Sequence, residues 1–225
     1  MEISIYTASV TPLEDAALFG KYLSAAPEWR RNSVLLTSRD GAKRLSLGVS
    51  ALFAAACLDR GVDPATPVEL GEHGKPRFKD GGFFFNLSHS GERALCITAD
   101  SPVGCDVERI AEPNYRIAAR FFTDAENDFL DSVGDPEEKK MCFYRMWTRK
   151  ESALKAIGVG FLAGYADVSV EPGVRTVVYG GKEYGVYDAP SPEGYAVSYA
   201  VEGTDVPQIT FHEVDLADFI RRANS

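Results

Sequence analysis

The chain has 225 residues, 45% of them apolar and 25% charged, with a formal net charge of −9. It is long enough for one large domain or two small ones with a substantial core, and its acidic balance excludes a broad electrostatic footprint for nucleic acid. Any anionic ligand must therefore be held by a local positive cluster or by a cation. No basic segment precedes an apolar run at the start, and no stretch approaches about 18 apolar residues, so the expectation is a cytoplasmic protein with no membrane span. Cys57, Cys96, Cys105 and Cys142 are far apart, without a C-x-x-C pair, and read as reduced thiols.

In chain order, "EISIYTASV" alternates as an opening strand, and "TPLEDAALFGKYLSAA" has a Thr cap, an early Pro and helical spacing. Residues 40–60 repeat apolar side chains at Leu45, Val49, Leu52, Phe53 and Ala56, which predicts a long buried helix stopped by Gly61 and Pro64. Four extended pieces follow, "VELGEHGKPRF", "GGFFFNLSHSG", "RALCITAD" and "PVGCDVERI", each bounded by turn residues. They predict a small, mostly antiparallel sheet. Two helical segments come next, "NYRIAARFFTDAENDFLDSV" and "DPEEKKMCFYRMWTRKESALKAIG", separated by a Gly-Asp-Pro break. The chain then returns to strands, "YADVSVEPG", "RTVVYGGKEYGVYDA", "GYAVSYAVEG" and "PQITFHEVD", before a short amphipathic helix. Helices followed by strands, twice over, predict an α+β fold of two similar lobes, 1–105 and 106–225, with a ligand cleft between them.

"PVGCDVERI" carries two acids one residue apart. On a strand Asp106 and Glu108 share a face, about 7 Å apart, with Val107 on the other. They are either a strand end running into water or part of a cation site. In "WTRKESALKAIGVGF", Trp147, Glu151 and Lys155 follow at i, i+4 and i+8 on one helical stripe. A Glu-to-Lys pair at that spacing is ordinarily a surface salt bridge, but the Trp makes the stripe a candidate for a half-buried wall. A third carboxylate beside the first two would give hard oxygen ligands suited to Mg²⁺, and Lys155 would then meet a phosphate oxygen.

The remaining polar pieces are individually weak. Lys75 and Pro76 sit in "GEHGKPRF", which lacks the spacing of a P-loop, and Ser88 and His89 sit in "NLSHSG", where they would serve as phosphate donors. Arg30 and Arg31, then Arg39, Lys43 and Arg44, form local positive spots that suit a phosphate monoester or a solvated helix face.

The order of these pieces carries more information than any one of them. "GKPRF", "FNLSHSG", "VGCDVER", "RFFT" with Glu126, and "FYRMWTRKESALKAIGVGF" resemble, in sequence over residues 71–161, the Sfp-type 4′-phosphopantetheinyl transferases. The resemblance implies a fold of two pseudo-symmetric α+β lobes, each a small, mostly antiparallel sheet packed with a long helix. It implies transfer of the 4′-phosphopantetheine arm of coenzyme A to a serine of an acyl or peptidyl carrier protein, with release of 3′,5′-ADP. It further implies Mg²⁺, with Mn²⁺ able to replace it, on Asp106, Glu108 and Glu151. Glu151 would be the base for the carrier serine, and Lys155 would neutralise charge on the α-phosphate. Lys75 and Pro76 would border the adenine, Ser88 and His89 would contact phosphates, and Arg44 would reach the 3′-phosphate.

Departures from the family pattern fall on the 3′-phosphate contacts, where Leu45 replaces a hydroxyl and Trp29 and Asn32 thin the basic run. Carrier docking is expected at Phe121 and Phe122, rimmed by Arg116, Arg120 and Arg145, and the expected state is a monomer that binds neither nucleic acid nor membrane. Two rival classes are a non-catalytic binder of coenzyme A or carrier, and a Mg²⁺-dependent phosphohydrolase.

Overall fold

A computed structural model describes residues 1–160 and 164–222. Its layering follows from period-2 alternation in the strands. In β1 (Glu2–Ser9), Ile3 and Ile5 enter a core between two sheets, while Tyr6 and Ala8 enter a core beneath helices. The strand β5 (Arg93–Ala99) splits likewise: Leu95, Ile97 and Ala99 face the other sheet, and Ala94 and Cys96 face the helices.

The first sheet has the order β10 (Gln208–Glu213), β1, β5, β4 (Phe84–Ser90). All its pairs are antiparallel except β1 with β10. The second sheet is antiparallel throughout, in the order β6 (Val103–Arg109), β9 (Tyr195–Glu202), β8 (Lys182–Asp188), β7 (Thr176–Tyr179). A separate two-stranded ribbon joins β2 (Val68–Leu70) to β3 (Pro76–Phe78).

The long helix α3 (Asp40–Asp59) covers the first sheet and the long helix α6 (Pro136–Ile157) covers the second. The α+β class and the mostly antiparallel sheets, each backed by a long helix, therefore stand as expected. Between the sheets, Val103, Cys105 and Val107 of β6 pack with Ile3, Ile5, Leu95 and Ile97. Each large aliphatic buried there contributes about 1.5–3 kcal/mol.

Several boundaries differ from the sequence reading. Residues 11–25 form a 3₁₀ turn and α1 (Ala16–Ala25), because Asp15 ends the first through its N–H, donated to Pro12 O, and caps the second through Oδ1, accepting from Ala17 N at 2.8 Å. A helix α2 (Glu28–Leu36) occupies the "EWRRN" run. Residues 114–133 divide into α4 (Arg116–Phe121) and α5 (Asp124–Ser132), because Thr123 and Glu126 form a capping box that starts a new helix. "YADVSVEPG" is not a strand. Its backbone groups are satisfied by buried side chains: Val170 N donates to Glu126 Oε1, and the carbonyls of Tyr165 and Val168 accept from Lys150.

Residue 105 is not a lobe boundary, since Cys105 lies inside β6; the sheets change over before that strand, at residues 100–102. The chain also returns to the first lobe, where β10 and α7 (Leu216–Arg222) complete its sheet and its helical core. By length and composition α3 itself passes for a membrane span, with a mean hydropathy of 1.3, but most of it is packed inside the protein.

Candidate active site

Where the two sheets meet, β4 and β6 lie side by side without sharing a ladder, and alternate side chains of "NLSHS" join them. Asn86 Oδ1 accepts from Cys105 N at 3.0 Å. Ser88 Oγ donates to Asp106 Oδ1 at 2.8 Å and accepts from Val107 N, and Ser90 Oγ donates to Glu108 Oε2 at 2.6 Å and accepts from Arg109 N. These residues recur at i, i+2 and i+4, so one face of β4 holds both acids of the next strand in place. Val107 points into the core between the sheets, leaving Asp106 and Glu108 on the side of α6.

Asp135 caps α6, accepting from Glu138 N at 2.8 Å, and Pro136 occupies its first turn. Gly158, with φ of 84°, ends it in the left-handed conformation. The helix lies directly on β6 and β9. A Cβ on Gly104 would overlap the backbone of α6 at Ser152 O and Ala156 N. Ser152 donates to Ser198 O at 2.9 Å, and the Thr148 and Ser198 hydroxyls are 2.8 Å apart. Fixed in this rotation, α6 turns Trp147, Glu151 and Lys155 toward Asp106 and Glu108.

The five side chains line one cavity of about 430 Å³, with Ser88, His89, Pro76 and Arg30 also among its lining residues. Lys155 Nζ donates to Asp106 Oδ1 at 2.6 Å and to Cys105 O at 3.2 Å. Burial by itself would lower the Lys155 ammonium, but the charges of Asp106, Cys105 and Glu151 carry it above the ordinary lysine value. Burial raises the Glu108 carboxyl, and the neighbouring charge of Asp106 adds to the effect. Burial also raises Glu151, against the opposing pull of Lys155 and of a hydrogen bond that Tyr165 donates to Glu151 Oε1.

The donor set fits a divalent cation in its chemistry: three carboxylates face one cavity, and Asp106 Oδ2 is buried with no hydrogen-bond partner. Burial raises two of the three, Glu108 and Glu151, and a cation would offset that cost of holding their charged forms. Among the described residues, however, no group of three or more His, Cys, Asp or Glu side chains stands close enough to hold an ion as placed. Lys155 occupies the first oxygen of Asp106 and Tyr165 that of Glu151.

The remaining expected residues fall differently. Pro76 and the exposed His89 line the cavity, but Ser88 is buried and its proton is committed to Asp106, so it positions a carboxylate and does not present a phosphate donor. Lys75 lies between carbonyls, donating to Val103 O, Lys155 O and Ala156 O, and burial pushes it down to about 8. Arg44 is not among the cavity residues; its guanidinium is 3.6 Å from Glu14. Arg30 takes that place, because α2 turns it inward, stacked on Trp29 at 5.1 Å and donating to Ser46 O at 2.7 Å. At the expected docking surface Phe122 is buried against Phe143 and Trp147, and Arg145 is paired with Asp188.

Sequence reasoning missed the buried Lys150–Glu126 pair, 2.7 Å apart, and the contact of Tyr165 with Glu151. A signal for the first was present. Lys150 follows Phe143 and Met146 on the inward stripe of α6, and a lysine on an apolar stripe needs a buried partner.

Residues 102–200 match the family profile described as the 4′-phosphopantetheinyl transferase superfamily. The chain is 38% identical over 109 residues to 4′-phosphopantetheinyl transferase gsp of Aneurinibacillus migulanus, covering 48% of this chain and 45% of that one. It is 34% identical over 125 residues to a 4′-phosphopantetheinyl transferase of Bacillus subtilis, covering 54% and 55%. It is 32% identical over 145 residues to 4′-phosphopantetheinyl transferase AcpT of Salmonella typhimurium, covering 63% of this chain and 73% of the relative. For the first two, the matched region is about half the length of the relative.

Proposed function

We propose that this chain, which belongs to the 4′-phosphopantetheinyl transferase superfamily, transfers the 4′-phosphopantetheine arm of coenzyme A to a serine of an acyl or peptidyl carrier protein and releases 3′,5′-ADP. The observation that carries the reading is one cavity at the sheet junction that gathers Asp106, Glu108, Glu151 and Lys155 with Arg30 and His89. Carboxylates beside two cationic groups, Arg30 and Lys155, suit a pyrophosphate and its cation better than they suit either alone.

In this mechanism Glu151 accepts the proton of the carrier serine, and its raised affinity for a proton suits that role. The serine oxygen bonds to the phosphorus that bears the pantetheine arm, and the bond from that phosphorus to the bridging oxygen of ADP breaks. Lys155, held charged by Asp106, balances the negative charge that develops on the departing phosphate. Tyr165 orients Glu151 through its hydroxyl, and Ser88 and Ser90 orient Asp106 and Glu108. Asp106, Glu108 and Glu151 would hold Mg²⁺ or Mn²⁺ once their side chains are drawn together from the positions in which Lys155 and Tyr165 hold two of them, and the bound cation would neutralise the pyrophosphate as a Lewis acid. Arg30 and His89 bind the outer phosphates. The four free cysteines support a reducing, cytoplasmic setting, and a cavity completed within one chain supports action as a monomer.

The test incubates the protein with apo carrier, coenzyme A and Mg²⁺ and weighs the carrier by mass spectrometry. The reading expects addition of the arm, lost with EDTA and with Asp106→Asn. ADP released from coenzyme A without a carrier would replace it with a phosphohydrolase. Coenzyme A binding without any mass gain across acyl and peptidyl carriers would replace it with a binding protein.

A further inference from the structure

Lys75 does something other than border a ligand. Its ammonium has three N–H donors, and three backbone carbonyls take them: Lys155 O at 2.6 Å, Val103 O at 3.0 Å and Ala156 O at 3.3 Å. Lys155 and Ala156 lie in the last turn of α6, where carbonyls have no acceptor role left within the helix and a cation is favoured. Val103 opens β6, three residues before Asp106. The same ammonium thus ties the start of the acid-bearing strand to the end of the helix that carries Glu151 and Lys155.

The third body in this contact is the turn that presents Lys75. Gly71 N donates to Lys75 O at 2.9 Å and Gly74 N to Gly71 O at 2.9 Å, while Gly74 takes a φ of 78°. Pro76 then starts β3 and lines the cavity. Beneath the ammonium the two backbones touch at Gly104, so no side chain of β6 or α6 fills the junction. The separation of helix and strand there is set by contact on one side and by Lys75 on the other. Lys155 joins the two effects directly: its carbonyl accepts from Lys75 and its Nζ donates to Asp106, both at 2.6 Å.

We propose that Lys75 is a positioning residue, which clamps the last turn of α6 to the start of β6 and thereby sets Lys155 against Asp106. The proposal rests on the transferase reading for its kinetic consequence but not for the clamp itself. The experiment compares wild-type protein, Lys75→Met and Lys75→Arg in two measurements. The first is amide hydrogen exchange without coenzyme A. Lys75→Met speeds exchange in the last turn of α6 by roughly tenfold or more while α3 is unchanged, and Lys75→Arg, which keeps donors and charge, restores part of the protection. The second is steady-state transfer, where Lys75→Met lowers kcat by roughly tenfold with the KM for coenzyme A within about threefold of wild type.

Unchanged exchange in the last turn overturns the clamp. A raised KM with unchanged kcat also overturns it, since that is the mark of a direct ligand contact. A wild-type protein with no transfer activity would instead remove the transferase reading, and the exchange measurement would still decide the clamp. If Lys75→Met does not fold, Lys75→Arg carries both measurements, with smaller effects of the same sign.

Discussion

Replacing Lys150 with methionine removes one charge from a fully enclosed pair and leaves the other behind. Lys150 Nζ lies 2.7 Å from Glu126 Oε2, from Tyr165 O and from Val168 O, and neither side chain of the pair has any exposed surface. Methionine fills a similar volume, so the loss is electrostatic and not a cavity. Breaking a buried pair from one side costs about 3–5 kcal/mol, because the partner is left in the interior without its counter-charge. Glu126 keeps two donors, Thr123 N at 2.7 Å and Val170 N at 2.8 Å, which moderates the penalty, while two carbonyls lose theirs, which adds to it. The net expectation is about 4 kcal/mol, or a fall in Tm of about 8–16 °C for a chain of this size. Urea unfolding followed by circular dichroism measures it. Adding Glu126→Gln to Lys150→Met should recover more than about 1 kcal/mol, since the orphaned charge is gone and an acceptor remains. A Lys150→Met protein within about 1 kcal/mol of wild type, or a double variant less stable than the single, would refute the reasoning.

The pH dependence of stability tests the cavity. Burial raises the folded-state pKa of Glu151, so its contribution is complete below the unfolded carboxylate pKa and is lost as pH rises through the folded value. Glu151→Gln should therefore melt higher than wild type at about pH 8 with the gap closing toward about pH 4, while transfer activity is largely lost; a less stable variant at the higher pH would show that Glu151 is structural. At Gly104 a Cβ would meet the backbone of α6, so Gly104→Ala should lose about 1–3 kcal/mol in thermal unfolding and reduce transfer. Gly134, with nothing within 4 Å of a Cβ, is the control, and equal effects at both positions would sink the close-contact account.

The long elements were legible because their signals are local. Leu45, Val49, Leu52 and Phe53 mark α3 by spacing alone, and Asp135, Pro136 and Gly158 bracket α6. Segments whose backbone is satisfied by distant side chains were not legible. The alternation of "YADVSV" suggests a strand, yet its carbonyls belong to a lysine some fifteen residues earlier on a helix, and no local rule reports that bond. The same limit applied to Ser88, whose hydroxyl reads as a phosphate donor until Asp106 is seen to claim its proton.

By itself the sequence determined the chemistry present, namely the acids at 106, 108 and 151, the lysine at 155, and their phase on a strand and a helix. Phase follows from repeats of 2 and 3.6 residues, so each pair could be assigned to one face without knowing what that face meets. The tertiary structure alone decided that the two faces meet across a sheet junction, that Arg30 and not Arg44 reaches the cavity, and that Lys75 closes the joint between helix and strand. Those outcomes depend on which backbones can approach, as at Gly104, and on which buried donors and acceptors remain to be paired. They are properties of the assembled layers, to which residues far apart in the chain contribute together.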